Sequence, residues 1–398
     1  MTTLSSRSTR IVPSPTLSIT AKAKAMAAQG IDVIDFSAGE PAQTTPNFIR
    51  EAAIAAIQSG FTRYTPVPGT DELRQAIIEK FQRDQGVTYD KSQILVSCGA
   101  KHSLYNLFQA LLDHGDEVIV PAPYWVSYPD QIRLADGTPV ILETRETDNY
   151  AIDPSALESC ITPRTKAVVL NSPCNPTGAI YSRNTLAQVA TIAKKYKLLV
   201  ISDEIYEKLI FGDPPFLSIV SVDPEIVPQT ILVNGMSKSY AMTGWRIGYA
   251  AGPKDLMAAM SNIQGQSTSN PTSIAQKASV AALQGGNDFF KEMVQDLRPK
   301  RDLMVAELNA IPGVTCPIPS GAFYAYPNIS GILGRRYTKG TITTSADLAA
   351  YLLEEAQIAS VPGEPFGSPS HLRMSYTPTM ETIQRGMARF QSAIQSLS

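Results

Sequence analysis

Between residues 93 and 252, short runs of Val, Ile and Leu alternate with stretches of helical periodicity. The runs are QILVS (93–97), DEVIVPAP (116–123), TPVILE (138–143), KAVVLNSP (166–173), KLLVISDE (197–204), TILVNG (230–235) and RIGYAAG (246–252). They are nearly continuous in apolar residues, the pattern of strands covered on both faces. Amphipathic segments separate several of them. In SRNTLAQVATIAKKYK (182–197), Leu186, Val189, Ala190 and Ile192 fall on one face, and Ser182 stands where a helix N-cap belongs. Strand and helix repeated in this way predict an α/β fold with a mostly parallel sheet between helices.

After about residue 285 the pattern changes. A long polar helix (287–311) is expected, interrupted at Pro299. AFYAYPNI, a helix at 347–356, IASVPG and HLRMSYTP follow. This reads as a second, smaller α+β domain, in keeping with a length of 398 residues. Hydrophobic residues make up 43% and charged residues 18% of the chain, the composition of a soluble globular protein. The net charge of −2 gives no argument for nucleic acid or membrane as a partner. No apolar run approaches the roughly 20 residues of a membrane span. Cys98, Cys160, Cys174 and Cys316 form no CxxC pair, and His102, His114 and His371 form no HxxxH or HxH pair, so no metal site is expected. GxxxxGK[ST] and a GxGxxG after a strand are both missing. Residues 1–31 hold no acid, which fits either a transit peptide or an N-terminal arm of the mature chain.

Ligands of open α/β sheets bind at the carboxyl ends of the strands. The residues there are Gly99, Ala100 and Lys101; Tyr124 and Trp125; Asn171 and Asn175; Asp203 and Tyr206; and Lys238, with Arg246 eight positions further on. Each alone has a plainer explanation. Asp203 could cap a helix, the aromatics could be core, NPTG could be a turn, and a lysine is most often solvated. All of them on one edge describe a site for a flat, charged, phosphorylated heteroaromatic. Pyridoxal 5'-phosphate is such a molecule. Its chemistry needs a lysine amine for the aldehyde, an acid beside the pyridine nitrogen, and cations with backbone N–H groups for the phosphate. Lys238 and Arg246, set in what reads as protein interior with no acid near them in sequence, then have their charges matched by the cofactor.

The chain resembles the fold-type-I pyridoxal-phosphate aminotransferases of the aspartate aminotransferase family, in the bacterial branch that includes aspartate/prephenate aminotransferases. The likeness rests on SAGEP (37–41), YTPVPGTDELR (64–74), the stretch 98–129, NSPCNPTGAIY (171–181), SDEIYEKL (202–209), SKSYAMTGWRIGY (237–249), PSGAFY (319–324) and HLRMSY (371–376). It implies the PLP-dependent transferase fold, with a seven-stranded sheet in the large domain. An N-terminal arm (1–11), a small domain (12–45 with 286–398) and a large cofactor-binding domain (46–285) are expected. It also implies roles. Lys238 would bind the cofactor covalently and carry protons. Asp203 would pair with the pyridine nitrogen, Asn175 and Tyr206 with the ring's phenolic oxygen, and Trp125 would stack on the ring. Gly99, Ala100, Ser237 and Arg246 would surround the phosphate, and Tyr64 would reach it from the partner subunit of a homodimer. Asn175–Pro176 would be a cis bond. Gly39, Trp125, Asn175 and Arg373 would meet the substrate, Arg373 at its α-carboxylate. In LRMSY, Leu372, Met374 and Tyr376 alternate with Arg373 and Ser375 as on a half-buried strand, which turns Arg373 away from that strand's core face.

The expected reaction is ping-pong transamination of L-aspartate with 2-oxoglutarate, in the cytoplasm, since RIVPSPTLSITAKA (10–23) matches the family's mature N-terminus. No partner-subunit arginine for the distal carboxylate stands out in NIQGQSTSNPTS (262–273). Lys101 and Thr16 would serve instead, although Lys101 could equally be a surface lysine. Val12 stands where prephenate-using members tend to carry a basic residue. Aromatic amino acids, prephenate or alanine remain alternative substrates. A lyase on the same fold remains a rival, and a non-catalytic sensor domain would need a DNA-binding segment for which the chain has no room.

Overall fold

The computed structural model describes residues 4–11, 15–212 and 216–398, with residues 15–17 as backbone only. The apolar runs form one seven-stranded sheet. Its strands are β1 (Ile94–Ser97), β2 (Glu117–Ala122), β3 (Thr138–Glu143), β4 (Thr165–Asn171), β5 (Leu199–Asp203), β6 (Thr230–Gly235) and β7 (Gly248–Ala251). Their spatial order is β1-β7-β6-β5-β4-β2-β3. All neighbours are parallel except β7, which runs antiparallel to β1 and β6. That reversal matters for function: the start of β7, just after Arg246, lies at the edge where the parallel strands end.

Side-chain alternation divides the core into two layers. Ile94, Val96, Ile119, Val168, Val200, Leu232 and Tyr249 face helices α1 (Asp71–Gln85), α3 (Arg183–Tyr196) and α5 (Ser273–Gln284). Leu95, Val118, Val120, Val169, Ile201, Val233 and Ala250 face α2 (Ala100–Leu111) and α4 (Lys254–Ser267). The helix ends follow local chemistry. Ser182 caps α3, its hydroxyl accepting the Thr185 N–H at 3.1 Å. Thr70 caps α1 through the Leu73 N–H, and Gly86 ends it in the left-handed region at φ 74°.

A separate core gathers Phe36, Met304, Leu308, Tyr324, Leu348, Met374 and Phe390. It packs around a three-stranded antiparallel sheet of β8 (Tyr324–Ala325), β9 (Val361–Pro362) and β10 (Leu372–Ser375), with β10 in the middle. Two expectations fail here. Helix α6 (Asp288–Asn309) is not interrupted and passes straight through Pro299. Proline there removes one N–H from the ladder, but Met293, Leu297, Met304 and Leu308 bury a continuous face that holds the helix together. Strand β10 is not half-buried either; it is buried throughout, with Arg373 only 2% exposed. A central strand is covered along both edges, and here both faces are closed as well.

Behind β5 lies a buried polar cluster. The Lys80 ammonium on α1 pairs with Glu207 at 2.6 Å. Gln85 Nε2 also donates to Glu207, at 2.8 Å, and the Ser202 and Ser218 hydroxyls donate to Glu204 at 2.9 and 2.6 Å. Burial, then the neighbouring Glu207, pushes the Glu204 carboxyl up to about 7. Breaking such a pair from one side leaves a buried charge unpaired. Lys80→Ala is expected to lower unfolding stability by about 3–5 kcal/mol, measured by denaturant titration; a loss no larger than that of an exposed lysine would show the pair to be dispensable.

Candidate active site

The carboxyl edge of the sheet opens into a cleft of about 240 Å³ against the second core. Strand β5 delivers Asp203 to its floor, 4% exposed. Tyr128 donates its hydroxyl to Asp203 Oδ2 at 2.7 Å, and the Ile205 N–H donates to Oδ1 at 3.3 Å. Burial nonetheless pushes this carboxyl up to about 6, against those hydrogen bonds and the attraction of the Lys238 cation. One turn on, Tyr206 lines the same cleft, its hydroxyl 2.9 Å from that of Tyr324. Burial, then Tyr324, holds the Tyr206 phenol well above its ordinary range, so it remains neutral.

After β6 the chain turns Ser237 and Lys238 into the cleft. The Lys238 amine donates to the carbonyl of Gly39 and sits 5.9 Å from the Tyr206 ring centre and 5.8 Å from that of Phe323. Burial, then the Arg373 cation, pushes it down to about 8; Glu40 opposes, Arg246 adds, and Asp203 opposes. Arg246 does not lie in the interior, as its sequence context suggests. It is exposed at the cleft wall, held at φ 57°, and donates to the carbonyls of Thr243 at 2.9 Å and Cys98 at 3.2 Å. A Cβ on Gly99 would come within 2.4 Å of its guanidinium. Gly99 therefore lets the arginine lie against the start of α2, where Ala100 and Lys101 line the cleft.

Arg373 reaches the cleft from β10. Its guanidinium stacks between Tyr324 at 4.5 Å and Phe366 at 5.3 Å. It donates to Asn175 Oδ1 at 3.1 Å and to the Ser37 carbonyl at 2.8 Å, while its buried Nε has no partner among the described residues. The Asn175 N–H donates to Asn171 Oδ1 at 2.9 Å, and Asn171 Nδ2 to the Asp203 carbonyl at 3.1 Å. Asn175–Pro176 is cis, as are Ala122–Pro123 and Ser172–Pro173, which the sequence did not signal. Trp125 lies edge-on to Tyr128, and the Lys101 ammonium sits 4.9 Å over its ring.

The fold thus brings together Gly39, Ala100, Lys101, Trp125, Asn175, Asp203, Tyr206, Ser237, Lys238, Arg246 and Arg373, with Gly99 alongside. Tyr64 is not among them; it points outward, 92% exposed. The Thr16 side chain and Val12 lie outside the described residues. Sequence reasoning missed Tyr128, Tyr324 and Thr243. Tyr128 follows Trp125 by one helical turn, a usable signal, but a tyrosine among apolar residues reads first as core.

A family model for "Aminotransferase class I and II" matches residues 31–390. The aspartate aminotransferase of Geobacillus stearothermophilus is 46% identical over 396 residues, covering 99% of each chain. The aspartate/prephenate aminotransferase of Cereibacter sphaeroides is 46% identical over 400 residues, covering 100% of each. Among solved structures, the aspartate aminotransferase of Rhizobium meliloti superposes with a TM-score of 0.96 at 42% identity, covering 100% of both chains. That of Thermus thermophilus with maleate gives 0.93 at 41%, covering 99% of this chain and 100% of that one.

The buried acid has a measurable consequence. Unfolded, Asp203 gives up its proton near 3.8; folded, it keeps it up to about 6. Between those values the folded form binds more protons, so this group's contribution to stability falls as pH rises through the window. Asp203→Asn is expected to raise the thermal midpoint of the ligand-free protein by a few degrees at pH 8 and to flatten its dependence between pH 4 and 6. Calorimetry across that range would detect either effect.

Proposed function

This chain belongs to the class I and II aminotransferases, and on that footing we propose that it transfers the amino group of L-aspartate to 2-oxoglutarate in a ping-pong sequence, yielding oxaloacetate and L-glutamate. The observation that carries this reading is the convergence of Asp203, Lys238, Arg246 and Arg373 on one cleft. The donor set fits pyridoxal 5'-phosphate. A desolvated carboxyl stands at one side, and an amine already pushed toward its neutral form stands over the floor. At the N-terminus of α2, Gly99 leaves room for Arg246 beside the first backbone N–H groups of the helix, an arrangement suited to phosphate. Bound there, pyridoxal phosphate supplies an aldehyde for the amino group and a pyridinium ring that accepts electron density from the substrate's Cα–H bond.

The chain's own residues divide the remaining work. Asp203 holds a proton on the ring nitrogen; Tyr128 and the Ile205 N–H fix its oxygens for that contact. Tyr206 and Asn175 offer hydrogen bonds at the ring oxygen, and Trp125 covers the ring face. Ser237, Arg246 and the Gly99–Ala100 backbone take the phosphate. Arg373, held flat between two rings with Nε unpaired among the described residues, orients the substrate α-carboxylate through a bidentate contact, and Gly39 borders the same region. Lys238 moves the α-proton as base and then as acid; its lowered proton affinity suits both tasks near neutral pH. Lys101, with the ammonium over Trp125, takes the distal carboxylate of aspartate, and Thr16 is assigned to the same end.

Residues 12–45 with 286–398 are taken as the small domain, 46–285 as the large one, and 1–11 as an arm. Contacts of Phe36 with the second core favour this grouping. A homodimer that shares its sites accounts for the outward Tyr64 and for Ile54 and Ile57, exposed by 52% and 54% on helix Asn47–Gln58. A cytoplasmic location agrees with the free thiols of the four cysteines.

L-aspartate added alone to the cofactor-loaded protein is expected to convert the cofactor to its amino form and release oxaloacetate, followed by absorbance. Conversion by tyrosine or alanine but not by aspartate would keep the reaction class and overturn the assignment of Lys101. Lys238→Ala should abolish turnover yet retain cofactor, Arg373→Leu should lower kcat/KM about a hundredfold or more, and Lys101→Ala should lower it about fivefold for aspartate and leave alanine unchanged.

A further inference from the structure

The loop that carries Tyr64 is gripped from below by two buried amides. Gln264 on α4 and Gln276 on α5 are both 0% exposed. Gln276 accepts the Thr70 N–H at 2.8 Å and donates to Thr65 Oγ1 and to the Pro271 carbonyl, both at 2.9 Å. Gln264 donates to the carbonyls of Val67 at 2.9 Å and Val96 at 2.8 Å, and accepts from Asn106 at 3.0 Å. The Val96 N–H donates to the Pro68 carbonyl at 3.0 Å. Gly69, at φ 101°, lets the loop lie flush on β1, since a Cβ there would come within 2.7 Å of the Val96 side chain.

Burying a side-chain amide is costly unless its hydrogen bonds are met, and an apolar side chain could fill either position without that demand. Here the amides bind loop residues on both sides of the turn, while the residue at its outer end, Tyr64, is 92% exposed. A rigid base beneath an outward-pointing tyrosine is what precise delivery to another molecule requires. Gln264 also joins the loop to Val96, one residue before β1 ends and three before Gly99, so the exported tyrosine and the chain's own phosphate cradle share one anchor.

We propose that Gln264 and Gln276 are positioning residues that aim Tyr64 into the active site of a second copy of this chain. The inference rests on the homodimer proposed above, with Tyr64 at the partner's cofactor phosphate.

The test measures affinity for pyridoxal phosphate by titrating cofactor-free protein. Occupied sites are counted by borohydride reduction, which fixes the cofactor only to Lys238. Gln276→Leu, Thr65→Val and Tyr64→Phe are each prepared as homodimers and as heterodimers with Lys238→Ala chains. In a heterodimer the only site that traps cofactor is the one on the loop variant, and it receives its tyrosine from the intact loop of the Lys238→Ala chain. Gln276→Leu and Thr65→Val homodimers are expected to bind about three- to tenfold more weakly, and the heterodimers to return to normal affinity. A defect that persists in the heterodimer, or no defect in either homodimer, overturns the proposal. If Gln276→Leu fails to fold, Thr65→Val carries the test, because it removes only the Thr65 hydroxyl's bonds to Gln276 and to the Pro66 carbonyl and leaves the core intact. Tyr64→Phe separates the premise: a defect not rescued in its heterodimer means that Tyr64 does not act across subunits, whatever the glutamines do.

Discussion

Asp203 is a carboxylate at the end of a strand with neighbours on both sides, at the centre of the sheet. Water cannot solvate it there, so its charge must be balanced by what the fold provides. Tyr128 comes from the first turn of the helix after β2 (Ser127–Leu134), and the Ile205 N–H from the turn after β5 itself. Lys238 arrives from the end of β6. Strand β5 ends at Asp203, and the turn that follows then sorts the acids. Asp203 and Tyr206 face the cleft, while Glu204 and Glu207 face α1 and its Lys80. A slip of one residue would bring Glu204 and Glu207 to the cleft in place of Asp203 and Tyr206, which is why the buried cluster behind the strand bears on the geometry in front of it.

The cleft is electrostatically lopsided although the chain as a whole is near neutral. Lys238, Arg246 and Arg373 converge on it, and Asp203 is the acid on its floor. Arg373 is kept in place by two aromatic faces and two hydrogen bonds, with one buried nitrogen unpaired among the described residues. Burial and the neighbouring arginine lower the proton affinity of Lys238. The convergence of the cations and the burial of Lys238 work against the stability of the chain alone. Under the function proposed above, an anionic, aromatic guest would offset that cost, so the groups that burden the fold would also select what enters the cleft.

Much of this was legible in sequence because parallel topology is so restrictive. Once the Val, Ile and Leu runs are accepted as strands of one sheet, the residues just after them must share an edge, and Lys101, Trp125, Asn175, Asp203, Tyr206 and Lys238 all follow. Where local pattern competed with tertiary packing, packing prevailed. Pro299 was overridden by the buried face of α6. The half-buried reading of β10 missed that its polar face is closed by the cleft. Tyr128 had the right spacing but an ordinary apolar context.

The sequence by itself determined which residues stand at the strand ends and which chemical types converge there, because short-range periodicity dictates strand, turn and helix. Only the tertiary structure decided how they meet. The reversal of β7 puts Arg246 on the same edge as strands running the other way. The second core carries Arg373 and Tyr324 over the cleft, and Gln264 and Gln276 hold the loop beside Tyr64, which points outward. Those relations join residues hundreds of positions apart, and no local periodicity encodes them; they arise from burying two cores against each other.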